Sequence, residues 1–424
     1  MAVVKPFRAL QFTPAAGEIA TLTCPPYDII SEEQRAAYLR QNPHNVIRLE
    51  LPREGENPYA VAAETLAAWQ AEGKLKQYDV PAFYLYAIDF TVDGKEYNIA
   101  GIVGAVQLSP FSEGVVLPHE YTLSKAKADR FELMKATACN FSNIYSLYQD
   151  GDDKLDVMTF ADTATAVFDM VDEAGLRHRL WAIENEADCD RLTAHFADKK
   201  LYIADGHHRY ETAIHYRDWR RENGTPVGAP SDSVMMMLVE MSHPGLVVFP
   251  THRLVRNLPQ ADAAALLKAC EGQFAVETVA PTDFKAALDA AYAEGKTAFG
   301  FYAKDAAALL TLKDDTAVKA LLPDMSAASQ ELDVTVLHTL ILEQLLKIDK
   351  EDMAAQRSLT YTRDMAEALA SVDNGDSQYA FLLNPTRVSE IGAVASAGEK
   401  MPQKSTYFYP KLITGLTMRW LEQE

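Results

Sequence analysis

The stretch Leu201–Ala213, LYIADGHHRYETA, sets an aspartate, a glycine, two histidines and an arginine between a strand-length apolar run and a helical pattern. Asp205 is expected to cap that helix, since its carboxylate can accept the open backbone N–H groups of the first turn. Gly206 permits a sharp turn and lets a ligand approach the backbone closely. His207, His208 and Arg209 then stand at a helix N-terminus, where N–H groups and the helix dipole favour an anion. The planar fork of arginine can hold two oxygens at once. The spacing points to phosphate or carboxylate binding. Polar turns between a strand and a helix are common, but two adjacent histidines followed by arginine are poorly explained as surface filler.

Other polar stretches offer partners for such a site. In His119–Arg130, His119 and Glu120 could form an acid–base pair, and Lys127 and Arg130 could bind an anion; a solvated, charged helix entry explains the same run. Cys24-Pro25-Pro26 fixes an extended path that presents Tyr27 and Asp28. His252 and Arg253 follow a strand and either face a cleft or cap a sheet. Lys404, Ser405, Thr406 and Lys411 lie in a proline-punctuated tail that could reach an anion or cover a sheet edge. Asp333, His338 and Glu343 lack the spacing of helical metal ligands and read as structural. No P-loop, dinucleotide fingerprint, nucleophile elbow or kinase catalytic loop occurs, so phosphate chemistry must use another cradle.

The elements that must position these residues alternate between helix and strand. Ser31 to Gln34 has a capping-box pattern that opens a helix running to about Gln41, where Asn42-Pro43 stops it. Residues 45–51 alternate polar and apolar as a half-buried strand does, which would place Arg48 and Glu50 on one face. Pro58 to Gly73 reads as a helix, and 83–90 and 97–108 as strands joined by a hairpin at Asp93-Gly94. Residues 131–137 are helical and 143–148 a strand. Residues 150–200 suggest two short αβ pieces with an acidic loop near 184–190. Ser233–Met241, with three successive methionines, reads as a core strand. Beyond Asn257 the composition shifts to alanine-rich helices, two short strands near 297–313, a helix over 332–346 and a strand over 378–383. The fold class is α+β, since hairpins are frequent and no regular βαβ repeat occurs. The domain boundary is placed near residue 256, giving domains 1–256 and 257–424, with the tail around Lys404 free to return to the first.

The chain has 424 residues, is 48% apolar and 24% charged, and carries a formal charge of −20. That balance argues against a general nucleic-acid partner, which would require a basic face. The cysteines Cys24, Cys139, Cys189 and Cys270 are widely spaced and suggest reduced thiols, not disulfides or a zinc site. No signal-peptide core and no membrane-length apolar run is evident, so a soluble, cytoplasmic protein is expected.

Lys5-Pro6-Phe7-Arg8-Ala9, Pro25-Pro26-Tyr27-Asp28, His119-Glu120, Asp129-Arg130, Asp205-Gly206-His207-His208-Arg209, Pro250-Thr251-His252-Arg253, Leu332-Asp333-Val334-Thr335 and Met401–Phe408 together resemble one family, domain of unknown function 1015, over nearly the whole chain. The Asp-Gly-His-His-Arg piece is also similar to the phosphate-binding signature of the ParB/sulfiredoxin-like superfamily. That superfamily includes ParB-type nucleotidases, sulfiredoxin and free-serine kinases. The resemblance implies a ParB/sulfiredoxin-like mixed-sheet catalytic core with a second α+β domain. It also implies a small-molecule phosphotransferase acting on free L-serine, with pyrophosphate or a nucleotide as donor and Mg2+ as the expected ion. The ParB-like role on DNA does not fit an acidic chain without a basic helix-turn-helix.

On this reading Gly206, His207, His208 and Arg209 hold the donor phosphates, with Lys127, Arg130 and Lys404 offsetting their charge. Glu120 is the candidate base, with His119, His208 and, as second choice, Asp205 in the catalytic set. Tyr27, Asp28, Arg48, His252 and Arg253 are assigned to the substrate, and Asp28 either to a metal or to the amino group of serine. A phosphatase or nucleotidase, or a nucleotide-binding regulatory module without turnover, would need the same cradle. The sequence fixes neither the donor, nor the metal ligands, nor the oligomeric state.

Overall fold

The computed structural model describes residues 1–122, 124–151 and 154–422. Leu123, within the polar stretch 119–130, and the last two residues of the expected second domain lie outside the described residues. The chain is α+β and divides into two compact units. Unit 1 comprises Met1–Pro118, Thr122–Leu246 and Pro410–Glu424; unit 2 comprises His119–Tyr121 and Val247–Tyr409. The expected boundary at 256 falls later than this division. The tail joins unit 1 from Pro410 onward, while Lys404 stays in unit 2.

Unit 1 is built on a nine-stranded mixed sheet. Its strands are β1 (Val4–Lys5), β2 (Phe83–Val92), β3 (Lys95–Gln107), β4 (Val116–Leu117), β5 (Ile144–Tyr148), β6 (Thr165–Val171), β7 (Arg177–Ile183), β8 (Leu201–Asp205) and β9 (Ser233–Glu240). The order is β4-β8-β5-β9-β3-β2-β7-β6, with β1 pairing β3 off that path. Two pairings are parallel, β8 with β4 and β9 with β5. Strand β9 lies mid-sheet, and Met235, Met236 and Met237 are fully buried. A strand covered on both faces reads as a continuous apolar run without alternation. The β2–β3 hairpin turns at Asp93 and Gly94, both with positive φ (50° and 75°), as a two-residue primed turn requires.

Helices of unit 1 that bear on the site are α1 (Glu32–Gln41), α2 (Ile47–Glu50), α3 (Pro58–Ala71), α4 (Ser124–Thr137), α5 (Glu186–Phe196) and α6 (His207–Glu222). Helix α1 opens with the expected capping box between Ser31 and Gln34. Residues 47–50 correct the expected strand: they form a short helix. The reason lies in Asn45, fully buried, whose Oδ1 accepts from Ile47 N while its Nδ2 donates to the carbonyls of Thr21 and Thr23. Glu50 is consequently buried, apart from Arg48, which stays half-buried. The expected acidic loop near 184–190 is a second correction, since Asn185 caps α5 through the amides of Ala187 and Asp188 and turns most of that run into helix. The region before it holds the antiparallel pair β6–β7 rather than two αβ pieces.

Unit 2 carries a six-stranded sheet of β10 (His252–Val255), β11 (Phe274–Thr278), β12 (Ala298–Ala303), β13 (Ala306–Leu312), β14 (Leu359–Thr362) and β15 (Tyr379–Leu382), in the order β11-β13-β12-β15-β10-β14. All of its pairings are antiparallel. Phe284, Leu288, Leu254 and Leu382 anchor its core. The expected helix over 332–346 begins as α7 (Asp333–Val336) and continues as a π-helical turn, Leu337–Glu343. Among the described residues no helix is long and apolar enough to cross a membrane. All four cysteines are free and buried.

Candidate functional site

In unit 1, β8 runs into Gly206, which adopts φ +97°, and α6 starts at His207. A β-carbon at position 206 would lie 3.0–3.1 Å from the Arg209 guanidinium, so both backbone and space call for glycine. The helix cap is Gly206, which has no side chain to offer the first turn. This corrects the expected role of Asp205, whose carboxylate turns to two cations. Arg209 donates to it from NH2 at 2.8 Å, and Lys411, from the tail, forms an ion pair with it. Burial alone would raise the Asp205 pKa, but Lys411 and then Arg209 hold it down to about 2. A carboxylate held by two cations is a weak acceptor for a hydroxyl proton.

Arg209 is equally committed. Its NH1 donates to Asn143 O at 2.5 Å and to Ser142 Oγ at 3.0 Å. Both terminal nitrogens are thus engaged within unit 1, so a phosphate would have to share Arg209 with Asp205, Ser142 and Asn143. His207 is buried and His208 half-buried at the first turn of α6.

Behind this turn lies a second cluster. Arg130 is buried; it donates from Nε and NH2 to Asp129 at 2.8 and 2.6 Å and from NH1 to Glu50 O at 2.6 Å. Its guanidinium sits 4.2 Å from the centroid of the Tyr27 ring. The Glu50 carboxylate lies 3.8 Å from Arg130 NH1 and accepts from Ser142 Oγ at 3.2 Å. Burial raises the Glu50 pKa against the opposing pull of Arg130 and Arg209. Burial also pushes the Tyr27 phenol up to about 12. Glu50, Arg130, Ser142, Arg209 and Thr212 line a small cavity of about 50 Å³. Asp28 is exposed beside Tyr27.

Lys127 and Arg48 are placed otherwise than expected. Lys127 on α4 pairs with Glu211 on α6 at 2.6 Å, which ties the two helices together. Arg48 donates to Pro43 O and lies 3.8 Å from Glu54, turned to its own loop.

Unit 2 gathers the other candidates. Main-chain pairing of Glu120 with Met401 brings the two stretches side by side. Glu120 Oε1 accepts from Lys404 N at 3.1 Å, and buried His119 meets Thr406 Oγ1 through Nε2 at 2.9 Å. Lys404 has φ +57° and an exposed side chain, and its carbonyl accepts from Arg253 NH2 at 3.1 Å. His252 is buried and accepts the Leu383 amide on Nδ1 at 3.1 Å. Burial and then the charge of Arg253 push its pKa down to about 4, so it stands in the sheet as a neutral imidazole.

Unit 1 therefore unites Tyr27, Arg130, Asp205 and Arg209, and unit 2 unites His119, Glu120, Arg253 and Lys404. Glu50, Ser142 and Lys411 complete the unit 1 cluster; Lys411 was expected only as a tail residue able to reach an anion, and Glu50 and Ser142 were not among the expected site residues. Lys411 carried a signal, a lysine in a polar tail, but its partner lies 206 residues away. Glu50 carried none that a strand assignment would not hide.

The chain resembles several solved structures only loosely. A conserved hypothetical protein from Pyrococcus furiosus aligns over 70% of this chain and 89% of its own, with 12% identity and a TM-score of 0.34. A free serine kinase in complex with AMP aligns over 69% and 83%, with 12% identity and a TM-score of 0.34. A C-terminally truncated SbnI from Staphylococcus aureus aligns over 75% and 89%, with 13% identity and a TM-score of 0.37. At these TM-scores the likeness carries no argument about fold or activity. No curated protein matches the sequence. The family model described as Protein of unknown function (DUF1015) matches residues 4–335, and the chain belongs to that family.

Proposed function

We propose that the protein is a small-molecule phosphotransferase that moves a phosphoryl group from pyrophosphate or a nucleotide to the hydroxyl of free L-serine. The observation that carries the donor half is the start of α6. Two histidines and an arginine follow a left-handed glycine that is itself the cap of a 16-residue helix, with Lys411 and Arg209 gathered on Asp205. Such a terminus favours the oxygens of a phosphate. The serine half, and the ParB/sulfiredoxin-like character of the core, rest on the sequence resemblance.

In the proposed reaction the serine oxygen attacks the terminal phosphorus. The bridging P–O bond of the donor breaks, and phosphate or the shortened nucleotide leaves. The hydroxyl proton passes to a carboxylate base, the role for which the sequence offers Glu120, whose Oε1 accepts from the Lys404 amide. Positioning and charge neutralisation supply most of the catalysis in such transfers. Magnesium would neutralise donor charge. It commonly takes only one or two protein carboxylates, with phosphate and water filling its shell. Among the described residues no group of three His, Cys, Asp or Glu is fit to hold a metal. Exposed Asp28 fits as a single carboxylate ligand, whereas Asp205 is already committed to two cations.

The test is a phosphoserine-formation assay with pyrophosphate, ADP and ATP in turn. Product with one donor, lost in Glu120→Gln, is the expected result; no phosphoserine with any donor rejects the kinase. Phosphate released without serine selects hydrolysis instead, and donor binding without turnover selects a regulatory module. Replacing His208 or Arg209 by alanine is expected to abolish donor binding in calorimetric titrations, and unchanged isotherms reject the cradle.

A further inference from the structure

Unit 2 holds a cavity of about 680 Å³, within the ~300–1,000 Å³ of ordinary small-molecule sites. The phosphate chemistry proposed above makes no use of it. Two of its lining side chains are buried polar groups without a hydrogen-bond partner, Thr335 Oγ1 (residue 4% exposed) and His338 Nε2 (residue 7% exposed). Buried polar atoms are satisfied in the great majority of cases, so an unsatisfied pair on one cavity wall asks for a ligand. The two residues are three apart, hence on one face of the helix. His338 belongs to the π-helical turn that follows α7. Such turns are rare and recur at functional sites.

The remaining wall suits a flat, apolar body. Tyr121, Tyr361, Met325 and Met353 contribute aromatic and thioether surface, which pack well against rings. The electrostatics come from Arg253, which is 1% exposed and whose Nε has no partner. Among the described residues it forms no ion pair. Its guanidinium lies 5.5 Å from the centroid of the Tyr361 ring, which lines the cavity. Burial, and after it the charge of Arg253, push the His338 pKa well below its ordinary value, so at neutral pH His338 presents an uncharged imidazole. A buried cation without a counter-ion favours a ligand anion. The rim is mixed: Lys350 and Lys400 stand with Glu343, Asp324 and Glu399. With one buried cation and two hydrogen-bonding groups, the cavity suits a single negative charge better than a phosphate, which wants many donors.

We propose that this cavity binds a small aromatic carboxylate, its ring between the tyrosines and methionines and its carboxylate toward Thr335, His338 and the field of Arg253. The inference goes beyond the phosphotransferase reading and stands if that reading fails.

The test uses the full chain labelled with 15N-histidine and indole-3-acetate as probe. One imidazole signal should shift saturably, and His338→Gln should remove that signal and weaken binding about tenfold. Indole-3-acetamide, the uncharged match, should bind about tenfold more weakly than the acid. Should His338→Gln fail to fold, Thr335→Val, close in shape, should weaken binding severalfold with the His338 signal still present. No saturable shift at millimolar probe, an undiminished affinity in both variants, or equal affinity for the amide would overturn the proposal.

Discussion

Lys411→Met tests whether the tail is bound to unit 1 by charge. The substitution keeps most of the aliphatic stem and removes the ammonium that pairs with Asp205. The Asp205 side chain is 19% exposed, so little screening need be discounted. A carboxyl whose ordinary value is 3.8 and which is held at about 2 draws about 2 kcal/mol of stability from its surroundings at neutral pH. Lys411 contributes more of this than Arg209, so its loss should cost about 1–2 kcal/mol at pH 7. The folded pKa is depressed, so the stabilisation is fully present above the unfolded value and is lost as pH falls through the folded one. The cost of the mutation should shrink to about half near pH 3 and approach zero near pH 2. Urea unfolding followed by tryptophan fluorescence reads the right unit, because Trp69, Trp181, Trp219 and Trp420 all belong to unit 1. A double-mutant cycle with Asp205→Asn isolates the pair from any packing change. A cost that stays constant between pH 7 and pH 3, or a coupling energy near zero, would refute the ion pair as the tether.

Further expectations concern the same unit. Asp205→Asn frees both cations and should tighten pyrophosphate binding about tenfold at fixed ionic strength; a weaker or unchanged calorimetric affinity contradicts the cradle's charge logic. Asn45→Ala removes two buried hydrogen bonds and a partly buried one and should cost about 2–4 kcal/mol in urea unfolding; a loss below about 0.5 kcal/mol would show that α2 does not depend on it. Gly245→Ala would put a β-carbon 1.9 Å from the Asn98 carbonyl oxygen, whereas Gly151 has open space around it. Gly245→Ala should lower the tryptophan-reported unfolding free energy by about 1–3 kcal/mol and Gly151→Ala by no more than about 0.5 kcal/mol; equal effects would mean the backbone yields at Gly245.

The parts of the fold legible in the sequence are those decided within a few residues. Ser31 and Gln34 close a capping box, Asp93-Gly94 makes a primed turn, and Gly206 takes the left-handed conformation between a strand and a helix. Each depends on side chains or dihedrals local to the chain. Residues 45–51 show where that logic ends. Their alternation fits a strand, yet Asn45 reaches back to the carbonyls of Thr21 and Thr23 and the segment closes into helix. That choice depends on residues more than 20 positions away, which periodicity does not carry. The site divides the same way. The turn 205–209 was legible, but which anion its arginine would meet was not, because Asp205, Ser142 and Asn143 reach Arg209 first.

The cations assigned to the donor in unit 1 are each matched by a carboxylate: Lys127 by Glu211, Arg130 by Asp129 and Glu50, and Arg209 by Asp205. In a chain of net charge −20, such pairing is what keeps buried guanidinium groups soluble in the fold, since an unpaired buried charge is costly. It also changes what the phosphate reading requires. A donor cannot be held by these side chains as open charges; it has to compete with Asp205 for Lys411 and Arg209, or to rely on backbone N–H groups at the start of α6. Asp205 is shared by Arg209 and Lys411, while Arg130 has both Asp129 and Glu50, so the three cations of the cluster face three carboxylates. On the proposed reading, a donor at this turn would be recognised by the direction of N–H groups and not by long-range attraction.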